Sequence, residues 1–259
     1  MGWLRLVRAL WMEALYPSQA NCMGCGSPAG AFEGWLCKDC AQLLKPLCDI
    51  PGPRCPRCGR PLDEDGRRAR TCVTCGDWPD GLISAARFPF PYRRPVSGMI
   101  RRMKYQGVAR MADWMAGEMH KAAARELPGG YDIIVPVPMH VRRLRQRGAN
   151  HAAAIAQALA QRAGVPCVPA LKRERDTPQQ ARLPALERRK NLEGAFHTCQ
   201  DVRGQRVLLV DDVVTTGATA LACARALRAG GAEDVQFLAL AGAIDRVLPQ
   251  QREKNGARR

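Results

Sequence analysis

No stretch of the 259-residue sequence approaches eighteen uninterrupted apolar residues, so a membrane-spanning helix is not expected. The most apolar runs, residues 207–210 and 237–244, have the length of strands. The opening MGWLRLVRALWMEALYP sets Arg5, Arg8 and Glu13 among its apolar residues and lacks the uncharged core and small-residue cleavage site of an export signal. An amphipathic helix over residues 1–17 is expected instead, in a cytoplasmic protein. There is no GxxxxGK[ST] segment, which excludes a P-loop. His140, His151 and His197 show no metal-ligand spacing and read as packing or hydrogen-bonding residues. Apart from paired cysteine units the chain has no internal repeat.

Acids are scarce after residue 80. Residues 1–80 carry 10 Lys or Arg against 9 Asp or Glu, whereas residues 81–259 carry 30 against 15. From Arg87 to Arg110 there are seven basic residues and no acid. A field of this sign suits an anionic partner, either a phosphorylated ligand or nucleic acid; an arginine-rich composition chosen for solubility is the plainer reading.

What the chain does have is cysteine. Twelve are present, eight of them in four CxxC pairs. Cys22 and Cys25 are separated by eleven residues from Cys37 and Cys40, and Cys55 and Cys58 by thirteen from Cys72 and Cys75. A CxxC turn aims two thiolates at one point, and two such turns close a tetrahedral four-cysteine site. Without an export signal this argues for zinc rather than disulfides, and the spacings are not those of ferredoxin clusters. Two structural Zn2+ ions are expected, with the pairs joined in sequence; a cross-brace joining the first pair to the third is the alternative. A closed four-cysteine site offers no open position for catalysis. Cys48, Cys167, Cys199 and Cys223 read as small buried hydrophobes.

Texture divides the chain into the helix at 1–17, a double ribbon at 18–80 with too little core to fold alone, a large domain at 81–250 and a basic tail at 251–259. Helical spacing appears at residues 99–105 and 111–127. From residue 131, strand-like and helix-like segments alternate: YDIIVPVP, a helix at 150–163, VPCVPAL, RVLLV, a helix at 218–229, and DVQFLALAG. That alternation predicts an α/β domain with a mainly parallel sheet, whose ligands sit at the carboxyl ends of the strands.

The most informative segment is VLLVDDVVTTGATALACARALRAGG. A strand at 207–210 runs into Asp211 and Asp212, and Thr215, Thr216, Gly217, Ala218 and Thr219 then open a helix. Amides at a helix start, threonine hydroxyls and a glycine that permits close approach make a phosphate cradle. Two carboxylates beside it would repel phosphate and call for hydroxyls or a metal. A ribose 5-phosphate offers both partners at once.

This segment resembles the phosphoribosyl-diphosphate motif of type I phosphoribosyltransferases. The resemblance implies that Asp211 and Asp212 bind the ribose hydroxyls and act in catalysis, that Thr215, Thr216, Gly217, Ala218 and Thr219 bind the 5-phosphate, and that Val213 also belongs to the ligand site. With VPVPMHVRRLRQRGAN and LKRERDTPQQ, and with the ribbons in front, nearly the whole chain resembles the ComF family of bacterial competence-related proteins. In that comparison Val135, Pro136, Val137 and Pro138 form the diphosphate loop, Arg173 joins the ligand site, and residues 172–191 correspond to a mobile hood. The family carries Phe where this chain has Ala149.

The resemblance implies a fold of type I phosphoribosyltransferase kind behind a double zinc ribbon with four cysteines at each metal. It also implies phosphoribosyl diphosphate with Mg2+ as ligand, and a link to DNA uptake. An active phosphoribosyltransferase of nucleotide or nucleobase metabolism is the first alternative. A non-catalytic adaptor for single-stranded DNA or protein is the second. For DNA the candidates are Arg101, Arg102 and Lys104, expected to precede the sheet, and Arg142, Arg143, Arg145 and Arg147; Tyr92, Tyr105 and Trp114 are possible stacking residues or core.

Overall fold

The computed structural model describes residues 21–27, 36–44, 53–62, 64–69, 72, 74–103, 108–175, 192 and 194–244. The helix expected at 1–17, Cys48, Lys104, Tyr105, most of the hood and the tail at 251–259 lie outside them. The elements run α1 (Lys38–Leu44), α2 (Glu64–Ala69), β1 (Ala85–Arg87), β2 (Phe90–Pro91), α3 (Val96–Met103), α4 (Val108–Glu126), β3 (Ile133–Pro136), α5 (Val141–Arg147), α6 (His151–Ala163), β4 (Leu171–Arg173), β5 (Phe196–Thr198), β6 (Arg206–Val214), α7 (Ala218–Ala229) and β7 (Asp234–Gly242). No helix among the described residues is long and apolar enough to cross a membrane.

One all-parallel sheet forms the centre, in the order β1–β7–β6–β3, with β2 pairing further along the same β7. The strands are continuous apolar runs because both faces are covered. Val135, Leu209, Phe237 and Ala239 point to one side, where Leu221 and Leu227 of α7 pack. Ile134, Leu208, Val210 and Leu238 point to the other, against Met99 of α3, Met115 of α4 and Ile155 of α6. The period of two along each strand thus sorts the core into two layers.

Four expectations shift. β6 does not stop before the acids: Asp211, Val213 and Val214 still pair with Ala239, Ala241 and Gly242 of β7, so the ladder carries the acid pair within its last residues. VPCVPAL contributes a single parallel bridge, Cys167 to Ile134, because Pro166 and Pro169 have no N–H for a longer ladder; its end, β4, pairs antiparallel with β5 instead. The arginine segment after β3 is itself a helix, α5, opened by His140, whose Nδ1 accepts from the Arg142 amide at 3.3 Å. Finally, α3 follows β1 and β2, so Arg101 and Arg102 lie within the sheet domain, not ahead of it.

Candidate functional site

The eight paired cysteines gather into two sets, Cys22, Cys25, Cys37 and Cys40, and Cys55, Cys58, Cys72 and Cys75, with the sulfurs of each set within 4.8 Å of one another. The grouping is sequential. Neighbouring sulfurs stand at 3.7 Å for Cys25 and Cys37 and at 3.3 Å for Cys55 and Cys75, too far for a disulfide. They are close to the roughly 3.8 Å expected of four sulfurs each about 2.3 Å from one zinc. Four thiolates with no oxygen donor are the ligand set Zn2+ prefers, so both sets fit a structural zinc. Burial pushes the Cys22 thiol up, but the Cys37 amide, donating to Cys22 Sγ at 3.2 Å, and the amides of Cys25 and Gly24 bring it down to about 6.

The two ribbons dock on different faces. The first lies against α3: a Cβ placed on Gly98 would come within 1.9 Å of the Gly24 carbonyl oxygen. Arg102 Nη1 donates to the carbonyls of Met23 at 3.2 Å and Gly24 at 2.9 Å. Arg102 is half-buried and directs Nη1 to the first ribbon, whereas Arg101 is exposed. Trp114 is likewise used internally, stacked on Phe90 with centroids 5.7 Å apart, whereas Tyr92 is exposed. The second ribbon shares the core of the sheet, with Cys58, Cys75 and Trp78 packed in one cluster with Leu209, Val214 and Ala218. Arg54 ties it to α4 through Glu126 at 2.8 Å.

At the carboxyl ends of β3 and β6 the predicted ligand residues converge. Pro136 is in register with Val210, and the Val137 amide donates to the Val210 carbonyl at 2.9 Å. The loop after β3 thus lies directly beside the strand that bears Asp211 and Asp212. Val135 and Val137 put their side chains into the core, so what this loop offers a ligand is backbone and Pro138. Asn150, given no role from sequence, holds the loop: its Nδ2 donates to the Val137 carbonyl at 3.1 Å.

Both acids are half-buried, and Asp211 accepts the Asp212 amide at 2.8 Å. Thr215 is exposed, and Gly217 caps α7 with φ +80°, a left-handed conformation that a side chain resists. Thr216 Oγ1 accepts the Ala218 amide at 3.4 Å. Arg173 lies over the Phe196 ring at 5.5 Å. Cys223 of α7 is wholly buried; burial raises its thiol, the Asp211 charge adds to this and Arg173 opposes it. In α5, Arg142, Arg145 and Arg147 are exposed and Arg143 is half-buried; they share the helix with exposed Val141 and Leu144.

Two residues bordering the loop that opens α7 carried no recognisable signal. Arg60, 5% exposed, donates to the Ala243 carbonyl at 3.0 Å and to the Thr215 carbonyl. Trp78, 3% exposed, rests on Gly217: a Cβ there would lie 2.3 Å from Cζ2 of the indole.

Residues 148–256 match the Phosphoribosyl transferase domain and residues 11–77 the Double zinc ribbon domain. The chain is 29% identical over 234 residues to competence protein F of Haemophilus influenzae, covering 86% of this chain and 97% of the relative. It is 30% identical over 232 residues to DNA utilization protein YhgH of Salmonella typhi, covering 85% and 95%. Competence protein ComFC of Bacillus subtilis is 27% identical over 198 residues, covering 74% and 77%. Among solved structures, a phosphoribosyltransferase from Corynebacterium diphtheriae aligns at TM-score 0.34 with 16% identity, over 59% of this chain and 90% of that one. With the two domain matches, the parallel sheet and its helices are of type I phosphoribosyltransferase kind, preceded by a double zinc ribbon.

Proposed function

Because this chain belongs to the family of competence protein F and DNA utilization protein YhgH, we propose that it binds phosphoribosyl diphosphate at the carboxyl ends of β3 and β6 and serves in the handling of DNA taken up by the cell. The observation that carries this reading is the junction of two loops: Pro136 sits in register with Val210, one residue before the acid pair. Asp211 and Asp212 accept hydrogen bonds from the ribose 2- and 3-hydroxyls. The amides and hydroxyls from Thr215 to Thr219, at the start of α7, hold the 5-phosphate, and the macrodipole of α7 adds to its attraction. Val213 completes the backbone of this loop. Backbone groups at Val135, Pro136, Val137 and Pro138, with Arg173, face the diphosphate. Mg2+, an oxygen-seeking cation, would find its protein donors in Asp211 and Asp212 and would supply charge neutralisation to the bound diphosphate. The two four-cysteine sets hold structural zinc, and such a chain works in a reducing cytoplasm.

Calorimetric titration with phosphoribosyl diphosphate and Mg2+ tests the reading: saturable binding by the wild type that Asp212→Asn weakens is the expected result. Diphosphate release on adding nucleobases or amines would extend the function to an active transferase of nucleotide or nucleobase metabolism.

Single-stranded DNA as a partner is favoured by α5, whose Arg142, Arg145 and Arg147 are exposed beside Val141 and Leu144 immediately after the diphosphate loop. Competence proteins that act on incoming DNA are the protein partners this role calls for. We further propose that the chain divides at residues 17, 80 and 250.

A further inference from the structure

Arg60 belongs to the knuckle of the second ribbon, two residues after Cys58, yet two of its guanidinium nitrogens donate outside that ribbon. Nε donates to the Ala243 carbonyl at 3.0 Å, beyond the end of β7, and Nη2 donates to the Thr215 carbonyl at the start of the phosphate loop. Nη1 stands 3.8 Å from Cys58 Sγ, a member of the second cysteine set, and the group lies 5.9 Å from the centre of the Phe88 ring. An arginine 5% exposed is costly unless its donors are satisfied. These are satisfied by one sulfur and by two carbonyls, Thr215 and Ala243, that stand just past the Val214–Gly242 end of the β6–β7 ladder, where the pairing stops.

Trp78 completes the arrangement. It follows Cys75 by three residues, is 3% exposed, and its indole occupies the space where Gly217 would carry a side chain, with Cζ2 and Cε2 at 2.3 and 3.0 Å from that position. Gly217 is the residue in left-handed conformation that turns the chain into α7. Arg60 thus fixes the entry of the phosphate loop and Trp78 its bend, and both are held by the metal-binding turns that carry them. Arg57 locks this end of the ribbon, donating to the carbonyls of Cys75 at 3.2 Å and Trp78 at 2.9 Å.

The geometry points to Arg60 and Trp78 as positioning residues of the phosphoribosyl site, so that the second zinc ribbon is the outer wall of the 5-phosphate loop rather than a separate module. The inference rests on the function proposed above for that loop. It assigns the two ribbons different tasks, since the first docks on α3, across the sheet, through Arg102 and Gly98.

The test uses the full-length, zinc-loaded chain and two readouts. Hydrogen exchange of residues 215–219, without ligand, should quicken by about tenfold in Arg60→Gln. Arg60→Lys should behave alike, because an ammonium cannot bridge both carbonyls and the sulfur. Arg102→Gln should leave exchange there unchanged. Trp78→Phe, which keeps a ring but withdraws it from Gly217, serves if Arg60→Gln loses zinc. In titrations, Arg60→Gln should weaken ribose 5-phosphate by about tenfold, as loss of a well-placed bond to a charged group does. Inorganic diphosphate, held by the loop after β3, should bind as before. A general loss of stability would instead weaken both ligands together. Unchanged loop exchange in Arg60→Gln and Trp78→Phe overturns the inference. Quickened exchange in a protein whose wild type binds neither ligand upholds the wall and removes the function assigned to the loop.

Discussion

Gly217→Ala should destabilise the protein for two separable reasons, and Trp78 tells them apart. An alanine at φ +80° carries the left-handed cost of about 1–2 kcal/mol. Its Cβ would also meet the indole at 2.3 Å, and forcing a methyl into a packed site costs about 1–3 kcal/mol more. The total expected from urea unfolding in zinc-containing buffer is about 2–5 kcal/mol, the sum of those two terms. Trp78→Ala alone should cost about 3–5 kcal/mol, as deletion of a buried aromatic does. In the Trp78→Ala background the methyl has room, so Gly217→Ala should cost only the backbone part, about 1–2 kcal/mol. The double-mutant cycle should therefore report a favourable coupling of about 1–3 kcal/mol. A coupling below about 0.5 kcal/mol, the scatter of independent sites, would refute the contact between ribbon and loop. A side chain larger than methyl at Gly217 strikes Trp78 before it meets a ligand, so such variants report the packing of ribbon on loop.

Asp212→Asn should raise the Kd for phosphoribosyl diphosphate at least about tenfold, the worth of a hydrogen bond to a charged group, with unfolding little changed; calorimetry checks both. Elemental analysis should find two zinc ions per chain. Cys25→Ser should lose one of them and leave the sheet folded, whereas Cys58→Ser should lower the stability of the sheet itself, because Cys58 shares its core with Leu209 and Val214. Changing Arg145 and Arg147 to Glu should weaken single-stranded DNA and flatten the dependence of log affinity on log salt by about 0.7 for each phosphate contact removed; an unchanged slope would place DNA elsewhere. Asp132 is held at about 2 by hydrogen bonds from the Arg206 side chain and amide, the former at 2.7 Å. A depressed carboxyl stabilises above its ordinary range near pH 4, and that contribution disappears as pH falls towards 2. Carboxyl NMR should show the low midpoint in wild type and its rise in Arg206→Gln.

Much of the site was legible because its chemistry is local. The acids, the threonines and Gly217 lie within nine consecutive residues, and strand, loop and helix start there follow from apolar pattern and capping alone. Each CxxC likewise announces its own turn, and the short intervals within each half favoured the sequential grouping over a cross-brace, the grouping the cysteines adopt. The helix at Ala218–Ala229 and the strand at Asp234–Gly242 stand where periodicity put them.

What sequence could not reach was anything decided by which surfaces meet. Arg102 looks like one more cation in a basic run, and only the docking of the first ribbon on α3 turns it inward to Met23 and Gly24. The ladder beyond Val210 persists because β7 happens to continue beside it. Arg60 and Thr215 are 155 positions apart, and no local preference of either residue encodes their contact. Sequence alone determined the strand, turn and helix start of the candidate loop and the four CxxC turns, since short-range backbone geometry suffices for each. Tertiary packing alone decided that one of the two cysteine sets closes over the loop, because burying the apolar ribbon and the end of the sheet against each other is a property of neither.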